Sequence, residues 1–189
     1  MIEGKMKDLS LHILDIVQNS VVANAKVIQI TLDINTTNDY IELAVSDNGK
    51  GMDKDFLQRV VDPFTTTRTT RKVGLGIPLL KQNAELTGGT FSIDSEPGVG
   101  TALKARFVRS HIDCLPLGDI GGTIALLMCS YPDIEFTVKT MVNSQEFSVS
   151  TSELREALEG LPLNDPSVYP VVKEYINTNL DELQIKNLG

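Results

Sequence analysis

The chain has 189 residues, 41% of them hydrophobic and 22% charged, with a formal net charge of -8. That length and composition suit one sizeable core or two small ones. The acidic balance, with a pI near 4.7, argues against a nucleic-acid backbone or an anionic membrane as the main partner. Cys114 and Cys129 are far apart and lack CxxC spacing, so both are expected to be reduced core residues rather than metal ligands or a disulfide. The longest apolar stretch, Ile120 to Cys129, carries glycines and is too short to span a bilayer. The opening Met1-Ile2-Glu3-Gly4-Lys5 lacks the features of a targeting peptide, so a cytoplasmic location is expected.

From Asp8 to about Asn24 the apolar period is helical. Leu9, Ile13, Ile16, Ser20 and Ala23 form one stripe, Asp8 or Ser10 can cap the start, and Asp15, Gln18 and Asn19 make the opposite face. Asp15 and Asn19 stand one turn apart and project side by side. Lys26 to Ile34 and Tyr40 to Ser46 alternate as the strands of a hairpin turning over Thr36 to Asp39. Asp53 caps a short helix reaching Val60. Next come Asp62-Pro63-Phe64 and the run Thr65-Thr66-Thr67-Arg68-Thr69-Thr70-Arg71-Lys72, which reads as a mobile loop of hydroxyls and positive charge. Gly74-Leu75-Gly76 opens a helix from about Ile77 to Leu86, which Gly88-Gly89 ends. Thr90 to Glu96 and Thr101 to Val108 are strands joined by Pro97-Gly98-Val99-Gly100.

Beyond Ser110 the pattern changes. Ile120 to Ser130 is expected to be a helix of small and apolar residues. Ile134 to Thr140 and Glu146 to Ser150 are expected to form a hairpin across Asn143-Ser144. Two capped helices follow, from Thr151 to Glu159 and from Asn164-Asp165-Pro166 to about Asn179. The chain therefore divides into residues 1–109, which carry the chemistry, and a small α+β appendage, residues 110–189, of unknown role.

The chemistry centres on Ser46-Asp47-Asn48-Gly49-Lys50-Gly51-Met52. A carboxylate at the end of a half-buried strand needs hydrogen-bond donors. Asp47 can accept from an exocyclic amine such as adenine carries, and the two glycines let backbone approach a flat ligand. Gly74 and Gly76 before a helix leave backbone N–H groups and a positive dipole end facing phosphate oxygens. Other nucleotide motifs fail: there is no G-x-x-x-x-G-K-[ST], no third glycine of a dinucleotide fingerprint, and no His-Arg-Asp or Asp-Phe-Gly. Only His12 and His111 occur and GxSxG is absent, so a serine hydrolase has little support.

Taken in order, Asp15-Ile16-Val17-Gln18-Asn19-Ser20, Asp47-Asn48-Gly49-Lys50-Gly51-Met52, Asp62-Pro63-Phe64-Thr65-Thr66, Gly74-Leu75-Gly76 and Gly98-Val99-Gly100-Thr101 resemble the N box, F box and three glycine boxes of the GHKL ATPase superfamily (gyrase, Hsp90, histidine kinase and MutL). The resemblance covers about residues 8–108 and is closest to the histidine-kinase branch. It implies an α+β fold, a two-layer α/β sandwich with a mixed sheet backed by helices. It further implies ATP and Mg²⁺ as cofactors. On this resemblance Asn19 holds Mg²⁺ beside the phosphates, Asp47 accepts from the adenine amino group, Gly49 and Gly51 admit the base, and Thr101 helps fix the Asp–adenine–water cluster. Thr66, Arg71, Lys72, Gly74, Leu75 and Gly76 belong to the lid and phosphate side, with Arg68 also available to the phosphoryl group.

Two positions depart from the pattern. Asp15 stands where the MutL and Hsp90 branches have a catalytic Glu, and Val22 stands where histidine kinases commonly have Lys. About seven residues precede the first helix, so a phosphoacceptor hairpin ahead of it is not expected and the acceptor is expected on a partner, while His12 is expected to point near the ATP face. The implied function is a stand-alone histidine-kinase-like or anti-sigma-type protein kinase acting on a partner protein, possible as a homodimer. An ATP-hydrolysing conformational switch and a non-hydrolysing nucleotide-sensing module are the alternatives.

Overall fold

The computed structural model describes residues 6–61 and 76–185. One sheet organises the chain. Its six strands run in the order β3-β4-β2-β1-β5-β6: β1 Val27–Asn35, β2 Tyr40–Asp47, β3 Thr90–Glu96, β4 Gly100–Val108, β5 Glu135–Val142 and β6 Gln145–Ser150. All neighbours are antiparallel except β1 and β5, which pair in parallel from Val27 opposite Glu135 to Ile34 opposite Val142. The sheet is therefore mixed, and its alternation sends one set of side chains inward. Ile28, Ile30, Leu32 and Ile34 of β1, Leu43 of β2, Phe107 of β4 and Phe136 of β5 are all buried. The reverse face carries Gln29, Thr31, Glu42, Ser46, Lys104 and Arg106.

Helices cover the apolar face: α1 Leu9–Val22, α2 Lys54–Val61, α3 Gly76–Leu86, α4 Ile120–Ser130, α5 Thr151–Ala157 and α6 Val168–Glu182. The fold is thus α+β in two layers, as the resemblance implies. Asp8 caps α1, its carboxylate accepting from the Leu11 N–H. The next two amides, of Leu9 and Ser10, donate to the carbonyls of Pro116 and Leu117. Asp53 caps α2 by accepting from the Phe56 amide, as its position suggested.

Strands β5 and β6 extend the sheet that β1–β4 build, and the buried residues of α4 and α6 join the same apolar cluster as those of α1 and α3. The cap of α5 is Ser150 rather than Thr151. Ser150 and Glu153 form a reciprocal capping box, while Thr151 is fully buried and its hydroxyl accepts the Phe136 N–H. Gln18 leaves the polar face it was grouped with. It exchanges hydrogen bonds of 2.8 and 3.1 Å with the Tyr131 hydroxyl, beyond α4. Cys129 is buried, Cys114 is half-buried, and both are free.

Candidate functional site

The end of β2 and the turn after it are fastened by hydrogen bonds on both sides. Asn48 Oδ1 accepts the N–H groups of Lys26 and Val27, both at 2.8 Å. The Lys50 N–H donates to the Ala23 carbonyl at 2.9 Å, and the Gly98 N–H to the Lys50 carbonyl at 2.8 Å. The turn is thereby held between the end of α1 and the β3–β4 hairpin. Gly51 has φ +64, and a Cβ there would lie 1.9 Å from the Glu96 carbonyl oxygen, so only glycine passes. Gly49 packs on the α1 end, where a Cβ would come within 2.8 Å of Ala23 Cβ.

Asp47 closes β2 with both carboxylate oxygens occupied. Oδ2 accepts from the Ser20 hydroxyl at 2.7 Å and Oδ1 from the Gly49 N–H at 2.8 Å. Each oxygen retains acceptor capacity, since an ionised carboxylate takes up to about four hydrogen bonds. Opposite Asp47 in the sheet register is Thr101. Its hydroxyl lies 2.9 Å from Ser95 Oγ, which also accepts the Met52 N–H and donates to the Gly100 carbonyl. Ser95 has one proton and gives it to that carbonyl, so the Thr101 hydroxyl donates to Ser95 and keeps its lone pairs for another donor.

Asn19, Asp47 and Thr101 line one cleft with Gly51. Apolar walls come from Ile16, Val45, Met52, Phe56, Ile77 and Leu103, and the cleft opens to solvent. Two apolar faces with acceptors at one end suit a flat heterocycle carrying an amine. Val22 is 72% exposed and lies at this cleft as an apolar side chain, so that position supplies no cation.

Asp15 sits one turn back along α1, against the start of α3. A Cβ on Gly76 would fall 1.8 Å from Asp15 Oδ2, so the missing side chain is what lets the carboxylate approach the helix end. Burial raises the Asp15 pKa, opposed by a hydrogen bond from the Gly76 backbone. Asp15 Oδ2 is buried and has no hydrogen-bond partner among the described residues. His12 is fully buried beside it, with Nε2 3.0 Å from Asn83 Nδ2 of α3. Burial lowers its pKa to about 4, against the opposing effects of the Asp8 charge and the Gly76 backbone. His12 therefore faces α3 rather than the cleft.

Among the expected site residues, Thr66, Arg71, Lys72, Gly74 and Leu75, with Arg68, lie outside the described residues. Two contributors escaped the sequence reading. Ser20 looked like one more member of the apolar stripe, yet a hydroxyl at a buried helical position requires a partner, and that requirement was its signal. Ser95 was hidden in a plain strand; its place opposite Thr101 follows only from the observed register.

For a divalent cation, the described residues hold no cluster of three His, Cys, Asp or Glu side chains. Asn19 offers one amide oxygen in the cleft. That set fits Mg²⁺, which keeps most of its waters and takes ligand phosphate oxygens.

A family profile described as histidine kinase-, DNA gyrase B- and HSP90-like ATPase matches residues 4–111. The chain is similar to the sensor histidine kinase YvrG of Bacillus subtilis, 30% identical over 95 residues, covering 48% of this chain and 16% of that protein. It is also similar to the sensor kinase CckA of Brucella abortus, 39% identical over 72 residues, covering 38% of this chain and 8% of that protein. The matched stretch is thus a sixth or less of either relative's length. Among solved structures, the Aquifex aeolicus MutL ATPase domain complexed with ADP aligns with a TM-score of 0.48 and 16% identity, over 82% of this chain and 68% of that one. No helix among the described residues is long and apolar enough to cross a membrane. With the family profile spanning more than half of its length, the chain belongs to the histidine kinase-, DNA gyrase B- and HSP90-like ATPase family.

Proposed function

We propose that the cleft binds ATP, with the adenine amine on Asp47 and the phosphates toward Asn19 and the first turn of α3, and that the chain is a kinase-type regulator of a partner protein. The observation that carries this reading is the Asp47 carboxylate, held by Ser20 and Gly49 at the end of a cleft with apolar walls. Residues 1–109 are the nucleotide-binding unit in this reading, and residues 110–189 add to its sheet and act in the cytoplasm with it.

Mg²⁺, when bound, would be held by the Asn19 amide oxygen together with phosphate oxygens and waters, and would neutralise charge on the transferring group. The amides at the start of α3 face the same negative charge. Transfer forms a bond from the acceptor's oxygen or nitrogen to the γ-phosphorus as the bond to the bridging oxygen breaks, and ADP leaves with that electron pair. Asp15 is the group suited to take the acceptor's proton: its carboxyl pKa is raised by burial, and among the described residues one of its oxygens has no partner. Incubation of the protein with γ-labelled ATP, Mg²⁺ and cell extract tests this. A labelled partner protein supports the kinase reading, and ATP binding with neither labelled protein nor free phosphate refutes it.

A second reading, an ATP-driven switch, is favoured by the main-chain bonds from Leu9 and Ser10 to Pro116 and Leu117. They tie the helix that carries Asn19 directly to the C-terminal part of the chain. Release of free phosphate without a labelled protein selects this reading.

A further inference from the structure

The interface between α1 and α3 contains a polar seam that nucleotide contact does not explain. His12 and Asp15, three residues apart on α1, both face the first turns of α3, where they meet Gly76 and Asn83. His12 is 0% exposed, the Gly76 backbone acts on its ring, and no side chain among the described residues bonds its buried Nδ1. An imidazole carries polar nitrogens that burial separates from water, so placing one inside is unfavourable relative to an apolar side chain of similar shape unless those nitrogens are bonded. A helix pair needing only to pack would use leucine, as Leu9 and Leu80 do nearby. What the imidazole adds over leucine is polar contact with α3: the Gly76 backbone acts on the ring, and Nε2 accepts from Asn83 at 3.0 Å.

That bond has a geometric consequence. Asn83 lies two turns along α3 from Gly76, and Gly76 is where the helix end approaches Asp15 closely enough to exclude a Cβ. Fixing α3 at Asn83 fixes how far Gly76 stands from Asp15, because a helix of 11 residues moves as a rod. No other side-chain hydrogen bond between α1 and α3 occurs among the described residues besides the contacts at His12 and Asp15. The remaining charged groups of α3, Lys81 and Glu85, pair with each other on its outer side.

We propose that His12 is a positioning residue: by holding Asn83 it sets the approach of the α3 N-terminus to Asp15, and so keeps that carboxyl buried and oriented. The role of Asp15 in turnover rests on the proposed function above; the positioning of Asp15 by His12 does not.

The test is carbon-detected titration of Asp15 in protein labelled with ¹³C-aspartate, the signal being assigned by its loss in Asp15→Asn. In the unaltered protein Asp15 titrates above its free value, as its burial against α3 requires. In His12→Leu the Asn83 amide loses its acceptor, α3 shifts outward to hydrate it, and Asp15 titrates lower. In His12→Gln the amide oxygen replaces Nε2 as acceptor and the raised titration returns. Asn83→Ala removes the same bond from the other side, lowers the Asp15 titration alike, and serves where His12→Leu does not fold. An unchanged Asp15 titration in whichever of these two variants is folded overturns the proposal. Turnover gives a second reading: kcat falls about tenfold in His12→Leu with KM within about twofold, and His12→Gln restores it. Equal losses in kcat/KM through KM alone also overturn it. Failure of the unaltered protein to bind ATP refutes the nucleotide reading and leaves the titration result standing.

Discussion

Replacing Asp47 with alanine isolates the group on which nucleotide recognition depends. In the folded protein the carboxylate accepts two hydrogen bonds, from Ser20 Oγ at 2.7 Å and from the Gly49 N–H at 2.8 Å. Bonds to a charged acceptor contribute about 1.5–3 kcal/mol each. The two donors are not equally stranded by the change. Ser20 already lies 3.4 Å from the Ile16 carbonyl and can turn its proton there, whereas the buried Gly49 N–H loses its acceptor outright. The expected loss of folding stability is therefore nearer one such bond than two, about 2–3 kcal/mol, readable by urea unfolding. The loss in affinity adds to this. An amine-to-carboxylate bond of about 2 kcal/mol corresponds to roughly thirtyfold in Kd, and calorimetry with ATP and Mg²⁺ measures it. Ser20→Ala should show a smaller effect on both, because Gly49 still holds the carboxylate. A folded Asp47→Ala protein whose ATP affinity lies within threefold of the unaltered protein would refute the reasoning.

Gly51→Ala places a side chain at φ +64 and 1.9 Å from the Glu96 carbonyl oxygen, so thermal unfolding should show a loss exceeding about 2 kcal/mol. Gly76→Ala differs, because the atom it meets is the movable Asp15 carboxylate. Melting should change little, while turnover should fall as far as it does in Asp15→Ala. His12 has a folded pKa of about 4 against 6.5 for the free side chain. Between those values the unfolded chain binds the extra proton, so stability drops as pH falls from 6.5 to about 4, by roughly 3 kcal/mol in total. Asp15, whose pKa is raised, acts in the opposite sense, its neutral form favouring the folded state as the pH falls through its folded pKa. Urea unfolding at pH 7 and pH 4.5 should show a smaller difference in His12→Gln than in the unaltered protein.

Local periodicity carried most of the fold. The helix at Leu9–Val22, the hairpin of β1 and β2, the helix at Gly76–Leu86 and the hairpin of β3 and β4 lie within a residue or two of where apolar spacing and turn residues put them. Three features had no local signal. The parallel pairing of β1 with β5 joins segments that share no turn, and parallel strands carry no mark of which neighbour they take. Gln18 is polar and helical in either environment, so only the position of Tyr131 assigns it to the far side of α1. Ser150 and Thr151 are both good caps, and the choice went to Ser150 because Thr151 is needed inside, under Phe136. At the cleft, Asp47 stood out by its place at the end of a strand and Asn19 and Thr101 through the motif resemblance, and all three line the same cleft. His12, in contrast, was judged by its nearness to the cleft, and its full burial against α3 depends on how two helices pack, which no single stretch encodes.

The partner of β1 on its β5 side is made late. Val27 emerges from the ribosome roughly 100 residues before Glu135, the residue it pairs with. Throughout that interval the nascent chain presents a strand rich in isoleucine with one row of amides and carbonyls open. Synthesis slowed anywhere between Val108 and Glu135 should thus prolong chaperone dependence, and shortened chains ending in that window should be recovered as aggregates.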